Sequence, residues 1–225
     1  MLPEIVDTLD GSKTLLNKAL NETYHSVNGA VPESLHIFIE AGLHHLVQNR
    51  KDQTQPISIL EIGFGTGLNA FLTCLESSKI QNQIYYDGIE NFPLPAELTK
   101  SLLYHKNFDA EQGRIFDLIL QMEWNKPAQV SPYFILTKLQ QSILDFQPKE
   151  KYNLVYFDAF GPDKQPEMWT ETIFEKMFNC LLPGGILVTY SAKGDVKRAL
   201  RQVGFEVTRL AGPPMKRHML RAQKV

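Results

Sequence analysis

A glycine-rich turn between an apolar strand and a helix constrains the fold of this chain more than any other feature. The β-branched run Ile57–Ile62 predicts a strand, GFGTG at positions 63–67 predicts a tight turn, and the apolar spacing in Leu68–Glu76 predicts a helix. Strand, tight turn and helix in this order are typical of open α/β sheets, which bind ligands at the carboxyl ends of their strands. We therefore expect a ligand site at this turn.

Other segments extend the same pattern along the chain. Strands are predicted at Ile84–Glu90, Asn153–Phe157 and Ile186–Tyr190, helices at Met168–Leu182 and Val196–Val203, and a closing strand pair at Phe205–Leu210 and His218–Ala222. The intervals between the earlier strands are expected to hold helices. Alternating strands and crossover helices predict an α/β fold with a mostly parallel sheet and one antiparallel strand near the end.

The first 55 residues do not follow this alternation. With 225 residues, the chain is long enough for one generous domain or a domain with an appendage. We predict a cap at 1–55, with one amphipathic helix at Leu35–Gln48 after an irregular segment, and a second domain at 56–225. A looser stretch, Asn91–Asn125, is expected to lie with the cap at the ligand edge of the sheet.

Charge and cysteine content exclude several classes of protein. Lys and Arg total 23 and Asp and Glu total 25, so the net charge of −2 provides no overall attraction to nucleic acid, and a polyanion would need a local basic patch. The spacing of Cys74 and Cys180 encodes no zinc site or disulfide framework, and the histidines match no metal-binding motif, so no metal is expected. Without a predicted membrane span or signal peptide, the expected location is cytoplasmic.

The acids around the turn indicate the class of ligand. A dinucleotide site would have GxGxxG, but position 68 is Leu, and Glu61 would repel a pyrophosphate whereas it can face an ammonium group. Glu90 lies 23 residues after Gly67, at a strand end where a carboxylate can accept both ribose hydroxyls. This pattern favours S-adenosylmethionine. The alternative is a purely structural glycine turn beside a solvated acid.

Two further acids are candidates for the site. Asp158 ends the apolar strand NLVYF and opens a turn at the same sheet edge, which favours a catalytic or substrate-orienting group; a loop cap is the alternative. Asp145 precedes a turn where it could reach an adenine amino group, although a surface acid is an equally good interpretation.

Several motifs together resemble one known family. They are Tyr24-His25-Ser26, ESLHIFI at 33–39, EIGFGTGLN at 61–69, ENFPL at 90–94, DAFGPDKQPEMW at 158–169, Pro183-Gly184-Gly185 and PMKRHML at 214–220. Over nearly its whole length the chain resembles the methyltransferase domain of the MnmC/MnmD-type tRNA 5-aminomethyl-2-thiouridine methyltransferases. Gly161 occupies the position at which the family commonly has the second Ala of DAFAP, and this is a small departure.

The resemblance implies a function and a set of site residues. It implies a Rossmann-like fold and methyl transfer from S-adenosylmethionine to the exocyclic amine of 5-aminomethyluridine at the tRNA wobble position. No flavin-dependent oxidase half follows, so other enzymes are expected to make the aminomethyl substrate. The predicted site comprises catalytic Asp158, cofactor-binding Glu61, Gly63, Gly65, Gly67, Asn69, Glu90 and Asp145, and substrate-binding Phe160, Lys164, Trp169, Lys216 and Arg217.

The chemistry assigns roles to these groups. Displacement at a sulfonium methyl depends on aligning a neutral amine, and Asp158 could accept the amine's proton or only orient the amine. Phe160, Trp169 and Tyr190 are candidate stacking groups for an unstacked anticodon base, with core packing as the more common role, while Lys164, Lys216 and Arg217 could contact phosphates. The alternatives are a small-molecule amine methyltransferase or aminopropyltransferase, and a non-catalytic RNA- or nucleotide-binding module.

Overall fold

The structure is a computed structural model that describes residues 2–8, 13–25, 29–102, 108–148, 151–214 and 216–225, so Ser26 and Met215 of the motifs lie outside the described residues. The described residues form a large sheet from β4 (Ile57–Ile62), β5 (Ile84–Glu90), β6 (Pro127–Ser131), β7 (Phe134–Gln140), β8 (Tyr152–Phe157), β9 (Leu181–Thr189), β10 (Glu206–Ala211) and β11 (His218–Gln223). Their spatial order is β10-β11-β9-β8-β4-β5-β7-β6.

The centre of this sheet is parallel and its two edges are antiparallel. Strands β9, β8, β4, β5 and β7 pair in parallel, whereas β11 runs antiparallel to both β9 and β10, and β6 runs antiparallel to β7. The predicted α/β fold with a mostly parallel sheet is thus confirmed. Because β4 has β5 on one side and β8 on the other, the strand order reverses at β4, which is where open α/β sheets bind ligands.

The β6–β7 hairpin corrects the expectation of helices between the earlier strands. In β7 alternate side chains are buried, and one of them is Lys138, whose charged character hides the alternation in the sequence. The Lys138 ammonium donates to the carbonyls of Ile119 and Leu120 at 2.9 and 3.0 Å. Burial lowers the pKa of Lys138 to about 8. A buried lysine here satisfies the free carbonyls at a helix end.

Helices cover the sheet: α3 (Leu68–Ile80), α4 (Ala96–Lys100), α5 (Ala110–Gln121), α6 (Glu171–Cys180) and α7 (Gly194–Gln202). Helix α6 is shorter than predicted, because Pro166–Trp169 forms a 3₁₀ turn and the Thr170 hydroxyl caps the helix by accepting from the Ile173 N–H. Strand β9 then begins at Leu181, so the Pro-Gly-Gly segment lies inside the strand, at a shift in its pairing with β8, rather than before it. Helix α5 lies within the stretch that was expected to be loose.

The N-terminal region is more ordered than its polar sequence predicts. Strands β1 (Glu4–Asp7), β2 (Lys13–Asn17) and β3 (Glu22–Thr23) form a small antiparallel sheet, which corrects the expected irregular segment. A continuous helical region follows, made of α1 (Ala30–Ser34), a π-helical segment (Leu35–His44) and α2 (His45–Asn49). The predicted amphipathic helix is therefore present and begins five residues earlier.

This helical region packs directly on the large sheet. At Gly42 an added Cβ would lie 3.1 Å from Val188 and 3.2 Å from Tyr156, so the absence of a side chain lets helix and sheet approach closely. Phe38 and Leu43 belong to the same buried cluster as Ile59 and Val188 of the sheet. The predicted boundary at residue 55 stays a prediction, because the cap and the sheet share this core. No helix among the described residues is long and apolar enough to cross a membrane.

Candidate active site

A cavity of about 930 Å³ opens at the carboxyl ends of the central strands. Its lining includes Ile62 at the end of β4, Glu90 at the end of β5, Asp158 after β8 and Tyr190 after β9. Further lining residues come from the N-terminal region and from the segment before β11. The cavity therefore lies at the reversal of strand order, and its size suits a nucleoside-sized ligand, since small-molecule pockets measure roughly 300–1,000 Å³.

The glycine turn packs against the neighbouring strands on both sides. Gly63 and Phe64 donate their N–H groups to the Ile89 carbonyl of β5 at 3.1 and 2.9 Å. Gly63 has a φ of +87°, and a Cβ there would lie 2.6 Å from the backbone oxygen of Asp158. Only glycine suits this close approach with a positive φ. The predicted tight turn is present, and Gly67, with a φ of +77°, leads directly into α3.

Glu90 connects the glycine turn to the loop after β5. One carboxylate oxygen accepts the Gly65 N–H at 3.1 Å, and the other accepts the Phe92 N–H at 2.9 Å. Each carboxylate oxygen has two acceptor sites, so these bonds orient Glu90 and leave acceptor capacity for ligand hydroxyls. Glu90, Gly65 and Gly63 all line the cavity, which is the arrangement expected of a site for the ribose and the backbone-contacting part of a nucleoside.

Asn69 joins two buried carboxyl groups behind the turn. Its side-chain amide donates to Glu61 Oε1 and to Asp158 Oδ2, each at 2.9 Å. Glu61 is completely inaccessible to solvent, and burial raises its pKa well above the usual range. Burial likewise raises the pKa of Asp158 to about 8, while the Asn69 hydrogen bond opposes the shift. Burial therefore favours the protonated form of both carboxyl groups, while the amide donor that they share opposes this effect.

The two acids differ in their access to the cavity. Asp158 and Asn69 line it, whereas Glu61 is not among the described residues of the lining and lies behind Asn69. Asn69 Oδ1 and Glu61 Oε2 are buried and have no hydrogen-bond partner within the part of the chain that the structure describes. Of the two acids, Asp158 is therefore the one in the described lining of the cavity.

The N-terminal region contributes residues to which the sequence interpretation assigned no role. Tyr24 packs edge-on against Phe160 with ring centroids 4.9 Å apart, and burial together with the charge of Glu90 raises the Tyr24 pKa to about 12. His25 lines the cavity, and burial lowers its pKa to about 4, so its imidazole is neutral. Glu33 also lines the cavity. Tyr24, His25 and Glu33 belong to the motifs at 24–26 and 33–39, which carry the family resemblance and indicate that these residues contribute to the site.

The predicted substrate residues are not all brought together. Phe160 and Lys216 line the cavity, and the Lys216 ammonium forms an ion pair with Glu33. Trp169 is buried in the core against Phe157 and donates its indole N–H to the Phe160 carbonyl at 2.8 Å, so it supports Phe160 from behind. A core position, the alternative weighed for these aromatic residues, is what the structure shows for Trp169.

Three other predicted residues, Asp145, Lys164 and Arg217, are not in the described lining of the cavity. Asp145 is exposed and its neighbours Ser142 and Ile143 line the cavity instead. The Lys164 ammonium donates to the Asn21 carbonyl at 3.1 Å, which attaches the loop after β8 to the N-terminal region. Arg217 is exposed to solvent next to Lys216. Only an exposed cation can contact a phosphate of a bound polyanion, and Arg217 is exposed.

The residues of the cavity fit S-adenosylmethionine. The glycine turn allows close approach to the backbone, and Glu90 is the carboxylate available to ribose hydroxyls. Asp158, which lines the cavity, provides a carboxyl oxygen that can accept from an ammonium group. Within the described ranges, no three His, Cys, Asp or Glu side chains lie close enough to hold a metal ion.

Known proteins resemble the chain along most of its length. Over 241 residues it is 30% identical to the tRNA 5-methylaminomethyl-2-thiouridine biosynthesis bifunctional protein MnmC of Actinobacillus pleuropneumoniae, covering 96% of this chain and 34% of the relative. Over 231 residues it is 31% identical to the MnmC of Idiomarina loihiensis, covering 91% of this chain and 36% of the relative. The chain thus spans about a third of the length of these relatives.

A solved structure and a family description agree with these relatives. The crystal structure of MnmC2 from Aquifex aeolicus superposes with a TM-score of 0.79 at 27% identity, covering 98% of this chain and 70% of that chain. Residues 125–225 match the family described as S-adenosyl-L-methionine-dependent methyltransferase. Residues 125–225 therefore match this family of S-adenosyl-L-methionine-dependent methyltransferases, and nearly the whole chain is similar to about one third of the MnmC proteins.

Proposed function

We propose that the chain methylates the exocyclic amine of 5-aminomethyluridine or its 2-thio form at the wobble position of tRNA. The observation that carries the proposal is the position of Asp158: its carboxyl group faces the cavity beside the glycine turn and has a pKa of about 8. An acceptor with a pKa near the working pH suits proton transfer from an ammonium group. The names of the matched relatives supply the substrate class.

The residues around the cavity have different roles in the proposed reaction. Bound S-adenosylmethionine supplies the electrophilic methyl group. Glu90 and the backbone of Gly63 and Gly65 hold the nucleoside end of the ligand, Asn69 fixes the Asp158 carboxyl, and Asp158 takes the proton that must leave the substrate ammonium before its nitrogen can act as a nucleophile. Tyr24 and Phe160 form the aromatic wall against which a uracil ring would stack.

The substrate implies partners that lie outside this chain. The anticodon region of tRNA must present its wobble base in the cavity, unstacked from its neighbours. Another enzyme must first install the aminomethyl group, because methyl transfer to the amine nitrogen does not attach an aminomethyl group to the uracil ring. A cytoplasmic location is part of the same proposal, since tRNA is the substrate.

Nucleoside mass spectrometry tests the proposal directly. Transfer RNA that carries 5-aminomethyl-2-thiouridine is incubated with the protein and S-adenosylmethionine, digested, and analysed. We expect the mass of that nucleoside alone to rise by about 14 units, because a methyl group replaces one hydrogen of its primary amine, which is a strong nucleophile. The Asp158→Asn variant is the control for chemistry at this site. If folded protein that binds S-adenosylmethionine leaves every nucleoside unchanged, the proposal is contradicted.

The acidity of the cavity favours one alternative. Glu22, Glu33, Glu90, Asp158 and Glu167 all contribute to its lining, whereas Lys216 is the basic side chain that the described lining includes apart from His25. Such a site also suits a small cationic amine, as in a small-molecule amine methyltransferase or aminopropyltransferase. Comparing methyl incorporation into intact tRNA, free nucleoside and polyamine decides between them, since a small-amine enzyme would prefer the free compounds.

A further inference from the structure

We propose that Glu33 and Lys216 are positioning residues for Asp158: held together as an ion pair, their opposite charges offset each other at the Asp158 carboxyl and keep the pH at which it takes the substrate's proton where burial places it. The pair joins helix α1 to the segment before β11, two parts of the chain 183 positions apart, and both side chains line the cavity that Asp158 faces. This inference rests on the proposed function and adds the control of its proton acceptor.

A chain of contacts leads from the pair to the Asp158 loop. The Lys216 ammonium lies 4.6 Å from the centre of the Tyr190 ring, a cation–π contact. The Tyr190 hydroxyl donates to the carbonyl of Ala159, the residue after Asp158, at 2.8 Å. Lys216 is therefore held between the acid of α1 and the aromatic ring that supports the catalytic loop.

The backbone before β11 is shaped to present Lys216. Lys216 N–H donates to the Pro213 carbonyl at 2.9 Å, and Gly212 N–H donates to the Arg217 carbonyl at 3.2 Å. A Cβ on Gly212 would lie 2.4 Å from the Lys216 backbone oxygen, so the turn closes only with glycine at that position. The placement of the ammonium is thus built into a tight turn.

The two charges act on Asp158 in opposite directions. Burial is the main cause that raises the Asp158 pKa; the Asn69 hydrogen bond lowers it, the Glu33 charge raises it and the Lys216 charge lowers it. Among the described residues, Glu61 of β4, Tyr86 of β5 and Tyr190 after β9 are also coupled to this carboxyl. Burial is the chief cause that raises the pKa values of these three groups, whereas Glu33 and Lys216 act on Asp158 through their charges.

Stability alone does not account for such a pair. The side chain of Glu33 is 13% exposed and that of Lys216 is 35% exposed, so forming the pair removes both charges from much of their water. Ion pairs with this degree of burial often add little to stability, because desolvation offsets their attraction. A role in the electrostatics of the neighbouring carboxyl gives a reason for charged residues at these two positions.

The test is a ¹³C NMR titration of the Asp158 carboxyl in the full chain, without cofactor or tRNA, with the signal assigned by its loss in Asp158→Asn. Lys216→Met, which keeps an unbranched apolar stem, should raise the Asp158 pKa, and Glu33→Gln should lower it, each by roughly one pH unit. The double variant should titrate near the wild-type value. Opposite shifts that cancel are a signature that loss of packing would not produce.

Control variants separate charge from structure. Lys216→Arg keeps the positive charge and should titrate like the wild type, and Lys193→Met removes a lysine from the exposed ion pair with Asp163, which is not coupled to Asp158. Circular dichroism checks that each variant folds, and Lys216→Gln replaces Lys216→Met if the latter does not. Shifts in the same direction, or no shift in either folded variant, would overturn the inference.

The titration does not depend on the identity of the substrate. If tRNA is not methylated but the opposite shifts are found, the proposed function fails and the positioning role stands. If tRNA is methylated and the titrations match the wild type, the positioning role fails alone. If both the proposed function and the positioning role hold, the pH at which the rate of methyl transfer rises should shift together with the titration. The shift should be to higher pH in Lys216→Met and to lower pH in Glu33→Gln.

Discussion

The two walls of the cavity are built in different ways. One wall is contiguous in sequence: the turn at 63–67 and Asn69 lie within seven positions of each other, and their geometry follows from one strand, one turn and one helix. The second wall is assembled: Tyr24, Glu33, Phe160 and Lys216 come from segments far apart in the chain. The first wall has the features of a cofactor site, and the second contains the groups suited to selecting a substrate.

Asp158 lies where the two walls meet, because Asn69 of the contiguous wall donates to it and Glu33 and Lys216 of the assembled wall act on its charge. Changing this residue should therefore have the largest effect. In Asp158→Asn we expect turnover to fall by about 100-fold or more, with cofactor affinity changed only a few-fold, since general base contributions are of this size. Isothermal titration calorimetry and single-turnover methyl transfer measure the two quantities. Near-wild-type turnover would remove Asp158 from the chemistry.

The contiguous wall can be tested through Gly65. Gly65→Val places a branched side chain at a φ of +50° in the cavity lining, with its Cβ 3.4 Å from the Tyr24 ring, and we expect cofactor binding to be lost. Gly184→Val is the matched control, because Gly184 has a φ of +78° and open space around it. Each variant should lose about 1–3 kcal/mol of stability from backbone strain. Equal cofactor affinity in both variants would show that Gly65 does not contact the ligand.

The pH dependence of stability tests the electrostatics of the junction between the walls. The pKa of Asp158 is about 8 when folded and 3.8 is its ordinary value, so between these pH values the folded state holds a proton that the unfolded state has lost, and stability falls as pH rises. Asp158→Asn removes this cost. We expect the melting temperature of Asp158→Asn relative to wild type to increase from pH 5 to about pH 8. A constant difference would mean an unshifted carboxyl.

The smallest expected effect concerns phosphate contacts next to the assembled wall. Arg217 is exposed, whereas Lys216 is engaged by Glu33, so the two neighbouring cations should differ. Arg217→Ala should reduce the slope of log affinity for tRNA against log salt by about one unit, and Lys216→Ala by less. Filter binding across a salt series measures both. A flat response in the wild type would contradict phosphate binding and favour the small-amine alternative.

Sequence alone was sufficient for the parts of the protein that depend on short-range order. The strand, turn and helix from Ile57 to Glu76 follow from local periodicity and from the backbone freedom of glycine. The meeting of Glu90 and Asp158 with that turn also follows, because the carboxyl ends of parallel strands share one edge of a sheet. Strand β7 was missed because a buried lysine interrupts its apolar alternation.

The tertiary structure alone decided which candidate side chains reach the cavity. Glu61 is buried behind Asn69, Asp145 is exposed and Trp169 packs in the core, although the sequence predicted all three as site residues. The pairing of Glu33 with Lys216 depends on how a helix near the start and a turn near the end pack against the same sheet. Such contacts carry no local signal, because the free energy that forms them comes from burial shared by distant segments.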